Sequence, residues 1–375
     1  MLIFLMVIFF LYMVSLTFKR ENLNKFFVLA SLSLAVLAFF FEPFNELDLY
    51  RHFEFLDLIR SYGWSAVESN PLYKYQPLYG YYFYFISFLP SNGYLPAITM
   101  FIIYYLVFKT IYRVGVKNDL SKNWMVALSF FFILSFDFFS ALSGIRNMLA
   151  FGIFAYFLYK DLVERKNRLF CWVVYICLCL FHSSVAVLLL FRIILLISKK
   201  GLQYVIFGII AVWTIFADKL PALLSSYTSI RFFDYLQSKV VTNINSIRND
   251  YFTAILTFVA IVVLGVIMIF LFSKAKRSIK NYQYNKYYLF VTYIIIFAIT
   301  SISNYDVFMR FSSMTIILAP TSLAILKAEL QQRSLLRFTV YKKLDIIQLL
   351  LILIIIIRWG MLFFIYKNNL SYNFF

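Results

Sequence analysis

Long apolar runs alternate along the chain with short clusters of polar and basic residues, and the lengths of the runs set the architecture. A helix crosses the hydrocarbon of a bilayer with about 20 apolar residues, within a range of about 17 to 25. Runs of this kind lie near 1–18, 26–43, 95–112, 124–142, 145–160, 168–182, 183–198, 202–218, 251–273, 287–303, 307–327 and 345–366. The pattern therefore predicts an all-α polytopic bundle of twelve spans, forming one integral membrane domain over 1–375. The segment 77–90, LYGYYFYFISFLP and its flank, is aromatic but short, and the uncharged turn SNGYLP follows it. It is expected to be re-entrant or interfacial.

Composition agrees with a membrane protein: 63% of residues are hydrophobic, 21% aromatic and only 14% charged, which excludes an ordinary soluble domain. The net charge of +18 raises nucleic acid as a partner, but the basic residues sit in short clusters between apolar runs, as positive-inside topology requires. No nucleic-acid partner is expected. Most of the 35 Lys and Arg fall on one side, in the clusters Lys19 to Lys25, Lys109 to Lys122, Lys160 to Arg168, Arg192 to Lys200, Lys274 to Lys286 and Lys327 to Lys343. That side is expected to be cytoplasmic, provided that 77–90 does not cross. Both termini then lie outside, with external loops at 43–76 and 219–250 and short external turns near 143, 182 and 304. Met1 opens an apolar run with no basic residue before it, so the first segment is expected to stay as a span, not to be cleaved as a signal peptide. Cys171, Cys177 and Cys179 share one apolar run without metal-site or disulfide spacing, and are expected to pack as small apolar side chains.

Against this background the polar groups near the external helix ends stand out. In SGIRNMLAFGIF (143–154), Arg146 opens a helix whose first N–H groups lack intrahelical partners. Its five-donor fork there makes an anion site suited to phosphate or pyrophosphate, or else an interfacial anchor that snorkels to water. His182 closes the next hairpin on the same side, and is either a proton-transfer group or a structural histidine bonded to Ser183 or Ser184. In ISNYDVFMRFSSM, Tyr305, Asp306 and Arg310 reach the external end of another helix. Asp306 and Arg310 pair at i, i+4, or Arg310 forms a second anion clamp opposite Arg146.

The first external loop, FEPFNELDLYRHFEFLDLIRSYGW, has the pattern of an amphipathic surface helix, with Asp48, Arg51 and His52 on one face. Asp48 is a candidate general base or sugar ligand, with a solvated charged face as the plainer reading. Asp137 lies within an apolar run, where an ionisable group needs a partner, and is expected to support an arginine. Arg192 and Arg358 are expected to snorkel. Tyr73, Tyr75, Tyr79, Tyr81, Tyr82 and Tyr84 form either an interfacial aromatic belt or platforms for sugar rings.

Four ordered blocks carry a family resemblance: the acidic-aromatic first loop with Asp48 and Tyr50, SGIRNMLAFGIFAYFLY at 143–159, FHSSVAVLLL at 181–190, and YDVFMRFSS at 305–313. Over most of its length the chain resembles the EpsG-type branch of the bacterial Wzy polysaccharide polymerases, multispanning enzymes of the GT-C-like glycosyltransferase group. Asn147 departs from the glutamine more usual after the arginine in that family. The resemblance implies transfer of a growing glycan from undecaprenyl pyrophosphate to a lipid-linked repeat unit, for O-antigen, lipopolysaccharide or capsule, on the external face of the bacterial inner membrane. Its partners would be the lipid-linked donor and acceptor, membrane lipid and a chain-length regulator.

Such a transfer develops negative charge on the departing pyrophosphate, which Arg146 and Arg310 would meet, while His182 or, second, Asp48 takes the acceptor proton. Asn147, Arg51, His52, Asp137, Tyr305 and Asp306 would bind substrate or support these groups. Neither a metal nor another cofactor is expected. A transporter or flippase, and an O-antigen ligase-like enzyme, are the alternatives.

Overall fold

In lipid every main-chain polar group must be satisfied within the protein, which leaves helices as the economical way to build from such apolar sequence. The computed structural model describes residues 2–45, 47–70, 76–215, 251–278, 282–332 and 355–356. The expected loop 219–250, all but two residues of the expected span 345–366, and Tyr73 and Tyr75 lie outside the described residues.

The described elements are helical throughout: α1 (Leu2–Thr17), α2 (Leu23–Phe39), α3 (Asp48–Tyr62), α4 (Trp64–Ser69), α5 (Pro77–Ser87), α6 (Tyr94–Lys117), α7 (Lys122–Ser135), α8 (Phe138–Ser143), α9 (Ile145–Tyr159), α10 (Arg168–Phe181), α11 (Val185–Ile194), α12 (Lys200–Ile215), α13 (Tyr251–Ser278), α14 (Tyr282–Thr300) and α15 (Tyr305–Gln332). Among them, Arg20–Phe39, Tyr94–Lys117, Ile255–Ser273, Tyr284–Ser303 and Tyr305–Glu329 are long and apolar enough to cross a membrane. The protein is α-helical and membrane-embedded. Accordingly, large apolar side chains face outward as well as inward: in α1, Phe9 is 66% exposed while Leu11 is fully buried.

The helices form two units. The first holds the described residues up to Leu189 together with Ala319–Ala328; the second holds the described residues from Leu190 to Leu318 and those after Ala328. In the first unit, α2 and α6 pack along each other in opposite directions, since Phe27 meets Phe108 at 5.4 Å and Phe39 meets Tyr94 at 5.0 Å between ring centroids. One end of this unit gathers basic residues. There Arg20 pairs with Asp119 at 2.6 Å, Lys122 bonds the Leu16 carbonyl at 3.0 Å, and Arg113 pairs with Glu164 at 3.0 Å. The other end joins Phe4 to Phe138 at 5.1 Å and Phe41 to Phe139 at 6.0 Å.

Two expectations meet the structure here. The run 124–142 is two helices: α7 ends at Phe136 in extended backbone, and Asp137 caps α8 by accepting the Ser140 N–H at 3.1 Å and the Ser140 hydroxyl at 2.7 Å. Phenylalanines flank the break on both sides, which is why hydropathy does not reveal it. Segment 77–90 folds as α5, whose 11 residues extend about 16 Å, half of the ~30 Å hydrocarbon core. It is tied to α3 at both ends. His52 meets Phe83 at 5.4 Å near one end, while at the other Arg60 donates to the Ser87 carbonyl at 3.1 Å, to the Leu89 carbonyl at 3.2 Å, and to Asp57 at 2.7 Å and Asn92.

In the second unit, Phe207 stacks on Tyr293 at 4.2 Å, Phe191 packs on Phe297 at 5.3 Å, and Phe297 packs on Phe311 at 4.6 Å, joining α11, α12, α14 and α15. The Thr214 hydroxyl donates to that of Thr300 at 2.8 Å, closing one end of α12 against α14.

Gly93 permits the turn from α5 into α6 to sit against α2: a Cβ there would fall 2.4 Å from the Phe39 carbonyl oxygen. Backbone cannot rotate away as a side chain would. Gly93→Ala is therefore expected to cost about 1–3 kcal/mol through overpacking, read as a lowered thermal midpoint in detergent; an unchanged midpoint would contradict this contact.

Candidate functional site

At the end of the first unit opposite its basic cluster, four helix segments bring together most of the polar residues singled out in the sequence. Helix α3 starts at Asp48 after Leu47 in extended backbone. Its first N–H groups have no intrahelical acceptor, and the Asp48 N–H is taken by the Ser143 hydroxyl at 3.2 Å. Ser143 ends α8, three residues before Arg146. A single long-range bond thus fixes the start of α3 beside the start of α9.

Around this joint, Asp48 pairs with Arg51 at 2.8 Å across one helical turn, both largely exposed. One residue further, the His52 ring turns inward and meets Tyr79 edge-on at 6.2 Å and Phe83 at 5.4 Å. The Arg146 guanidinium lies over the same Tyr79 ring at 5.4 Å, a cation–π arrangement favoured when partly desolvated. Tyr79 is fully buried. Burial first, and then the charges of Arg146 and Arg51, push the His52 imidazole down to about 3 from its usual 6.5. His52 is therefore neutral across physiological pH and offers a ring N–H donor next to a cation.

Arg146 is half-buried and has no carboxylate partner among the described residues. Gly144, the N-cap of α9, offers no side-chain acceptor for the first-turn N–H groups. Asn147 is 5% exposed, and neither its amide nitrogen nor its amide oxygen has a hydrogen-bond partner among the described residues. A buried amide left unpaired costs about 1–3 kcal/mol, so this turn of α9 holds polar groups that the described residues do not satisfy. The combination is chemically suited to an anion carrying hydrogen-bond acceptors.

His182 lies just beyond α10, whose last residue, Phe181, meets Tyr79 at 5.3 Å. The imidazole is buried, and its Nδ1 accepts the Ser184 N–H at 3.2 Å. An Nδ1 engaged as acceptor puts the ring proton on Nε2. In this arrangement His182 presents a donor. Asp137 is placed as the cap of α8 described above. Tyr305, Asp306 and Arg310 belong to the second unit, where α15 starts with Asn304 accepting the Val307 N–H at 3.2 Å and Asp306 pairs with Arg310 at 3.8 Å.

The tyrosines of α5 separate by environment. Tyr79 supports Arg146, Tyr82 shares a hydrogen bond of 3.0 Å with Thr99, and Tyr81 stacks on Trp64 at 4.7 Å. Asp48 and Asp57 are nine residues apart on one helix, about 13 Å along its axis, and each is held by its own arginine. They do not converge on one point. The contribution of Ser143, and that of Arg60 to the Ser87 and Leu89 carbonyls, have no signal in the sequence, because they act through main-chain groups of distant segments.

Comparison of the chain with protein-family models, with curated proteins and with solved structures finds no match in any of the three.

The environment of His52 has a measurable consequence. Between its folded value of about 3 and the ordinary 6.5, the unfolded chain binds more protons than the folded one, so stability falls as pH drops through this window. His52→Gln removes that contribution. Its thermal midpoint is expected to decline less steeply than the wild type's below pH 6.5; parallel declines would show that the imidazole is not held neutral.

Proposed function

We propose that the protein is a polysaccharide polymerase of the EpsG-type Wzy class: a twelve-span, GT-C-like glycosyltransferase of the bacterial inner membrane with its active end facing the exterior. It moves a growing glycan from undecaprenyl pyrophosphate to the terminal sugar of a lipid-linked repeat unit. The observation that carries this reading is Arg146, held over the Tyr79 ring with no carboxylate partner among the described residues, beside neutral His52 and the unpaired amide of Asn147. The ordered sequence blocks supply the family, and the placement of Arg146 at the end away from the basic cluster agrees with an external site.

In the transfer, the acceptor hydroxyl oxygen bonds to the anomeric carbon as the bond from that carbon to the pyrophosphate oxygen breaks. The electron pair leaves on the pyrophosphate, and the hydroxyl proton passes to a base. Arg146 meets the developing charge with its planar fork, and the His52 and Asn147 N–H groups extend the donor set. Asp48 is the proton acceptor in this scheme, because the Nδ1 of His182 is occupied by the Ser184 N–H. Arg51 pairs with the Asp48 carboxylate, and Ser143 holds the Asp48 main chain beside α9.

The test is complementation of a deletion strain with the surface glycan resolved on a gel. Arg146→Ala should reduce long-chain product by about 100-fold or more, with protein abundance and single repeat units retained. Arg146→Lys should fail as well, since it keeps the charge without the fork. Normal chain lengths at normal abundance would sink the reading. Loss of surface glycan with lipid-linked polymer retained would identify a ligase instead.

Asn147→Leu separates function from folding. Replacing an unsatisfied buried amide by an apolar side chain of similar volume should leave the thermal midpoint unchanged or raise it by about 1 kcal/mol equivalent, while polymer yield falls. A destabilised but active variant would show that the amide serves the fold.

A further inference from the structure

Near the basic end of the first unit, three cations from α6 and the end of α9 gather around Tyr156. Arg113 donates to the Tyr156 hydroxyl at 3.1 Å, and the Lys109 and Lys160 ammonium groups lie 5.9 and 5.7 Å from the centre of its ring. Lys109 also donates to the Tyr105 hydroxyl at 3.1 Å, and Lys160 lies 5.4 Å from the centre of the Phe157 ring. All of these side chains are half-buried.

Tyr105 precedes Lys109, and Tyr156 precedes Lys160, by one helical turn. Both lysines are thus tied to the turn before their own, whereas a snorkelling lysine extends past the helix end to water. Lys109 stands eight residues before the end of α6, about 12 Å within a helix long enough to cross the membrane.

An aromatic face attracts a cation but carries no net charge to cancel it. The carboxylates nearest in sequence serve other groups. Glu164 pairs with Arg113 at 3.0 Å, its second oxygen accepts no hydrogen bond among the described residues, and Asp161 pairs with Arg168 at 3.9 Å. Neither Lys109 nor Lys160 forms an ion pair among the described residues. Donors are in excess as well. The Tyr105 and Tyr156 hydroxyls each accept from a cation, which leaves their protons without an acceptor among the described residues. Beside these donors the surface is built of rings: Phe101 lies parallel to Tyr105 at 5.6 Å, and Phe157 meets the 55% exposed Phe170 at 5.7 Å.

We propose that this face binds an anionic glycerophospholipid of the adjoining leaflet, its phosphodiester meeting Lys109 and Lys160 and accepting from the Tyr156 hydroxyl. The first chain segments lie along Tyr105 and Phe101, which lead away from the basic end as an acyl chain does. Charge and apolar surface are then both satisfied by one molecule. The site is at the opposite end of the first unit from Arg146 and does not rest on the polymerase reading.

The experiment titrates the full-length chain in a neutral detergent with phosphatidylglycerol or phosphatidylcholine, and reads retained lipid by native mass spectrometry and the thermal midpoint. Phosphatidylglycerol should remain bound and raise the midpoint, whereas phosphatidylcholine, whose choline offsets the phosphate charge, should do neither. Lys109→Gln and Lys160→Gln should each weaken phosphatidylglycerol binding about fivefold, and Lys160→Arg should retain it. Lys117→Gln removes an exposed lysine at the end of α6, outside the cluster, and should leave binding unchanged. Lys160 lies beyond the end of α9, so Lys160→Gln keeps the test valid if Lys109→Gln does not fold. Equal binding of the two lipids, no retained phosphatidylglycerol, wild-type affinity in Lys160→Gln, or equal weakening by Lys117→Gln would overturn the proposal.

Discussion

A main-chain N–H or carbonyl left bare in hydrocarbon costs several kcal/mol, and this constraint decides where the chain is allowed to interrupt its helices. Three of the helix starts described here are closed by a side chain. Asp137 closes the start of α8, Asn304 that of α15, and Ser143 takes the first N–H of α3 from ninety-five residues away in sequence. The start of α9 differs from these three. Its N-cap is a glycine without a side-chain acceptor, and the next turn adds a half-buried cation and a buried unpaired amide. Among the described residues, a cation without a carboxylate and an amide without a hydrogen bond thus sit side by side at this joint.

Much of the fold can be read from the sequence, because an apolar run of sufficient length has few alternatives in a membrane. The boundaries of α9 and α10 follow their runs closely, and the brevity of 77–90 foretells a short helix that lies against another. Hydropathy fails where the break itself is apolar. Phe136, Phe138 and Phe139 surround Asp137, so the end of α7 is set by a capping geometry that a hydrophobic pattern cannot express. Nor can it sort buried from lipid-facing positions, as Phe9 and Leu11 show: when the solvent is as apolar as the core, the moment that marks a soluble helix disappears.

The candidate site is readable to a similar depth. Asp48, Arg51 and His52 share a helix face by spacing alone, and Arg146 is conspicuous as a cation at the mouth of an apolar run. Their meeting is not readable, since it depends on Tyr79 and Ser143, neither of which differs in kind from its neighbours in sequence. The chemistry of the two histidines also depends on contacts. His182 has its Nδ1 committed to a main-chain N–H, and His52 is kept neutral by burial beside two arginines. Residue type alone gives both the same prospects; their surroundings make both of them donors.

The ring of Tyr79 also holds Arg146 without engaging its hydrogen-bond donors. Attraction to an aromatic face acts on the charge and uses none of the N–H bonds that a carboxylate would take. The guanidinium is thereby placed beside a fully buried ring while its planar donor set is left for another acceptor. Tyr79 thus works as an anchor that keeps the valence of Arg146 open, which an acidic neighbour could not do.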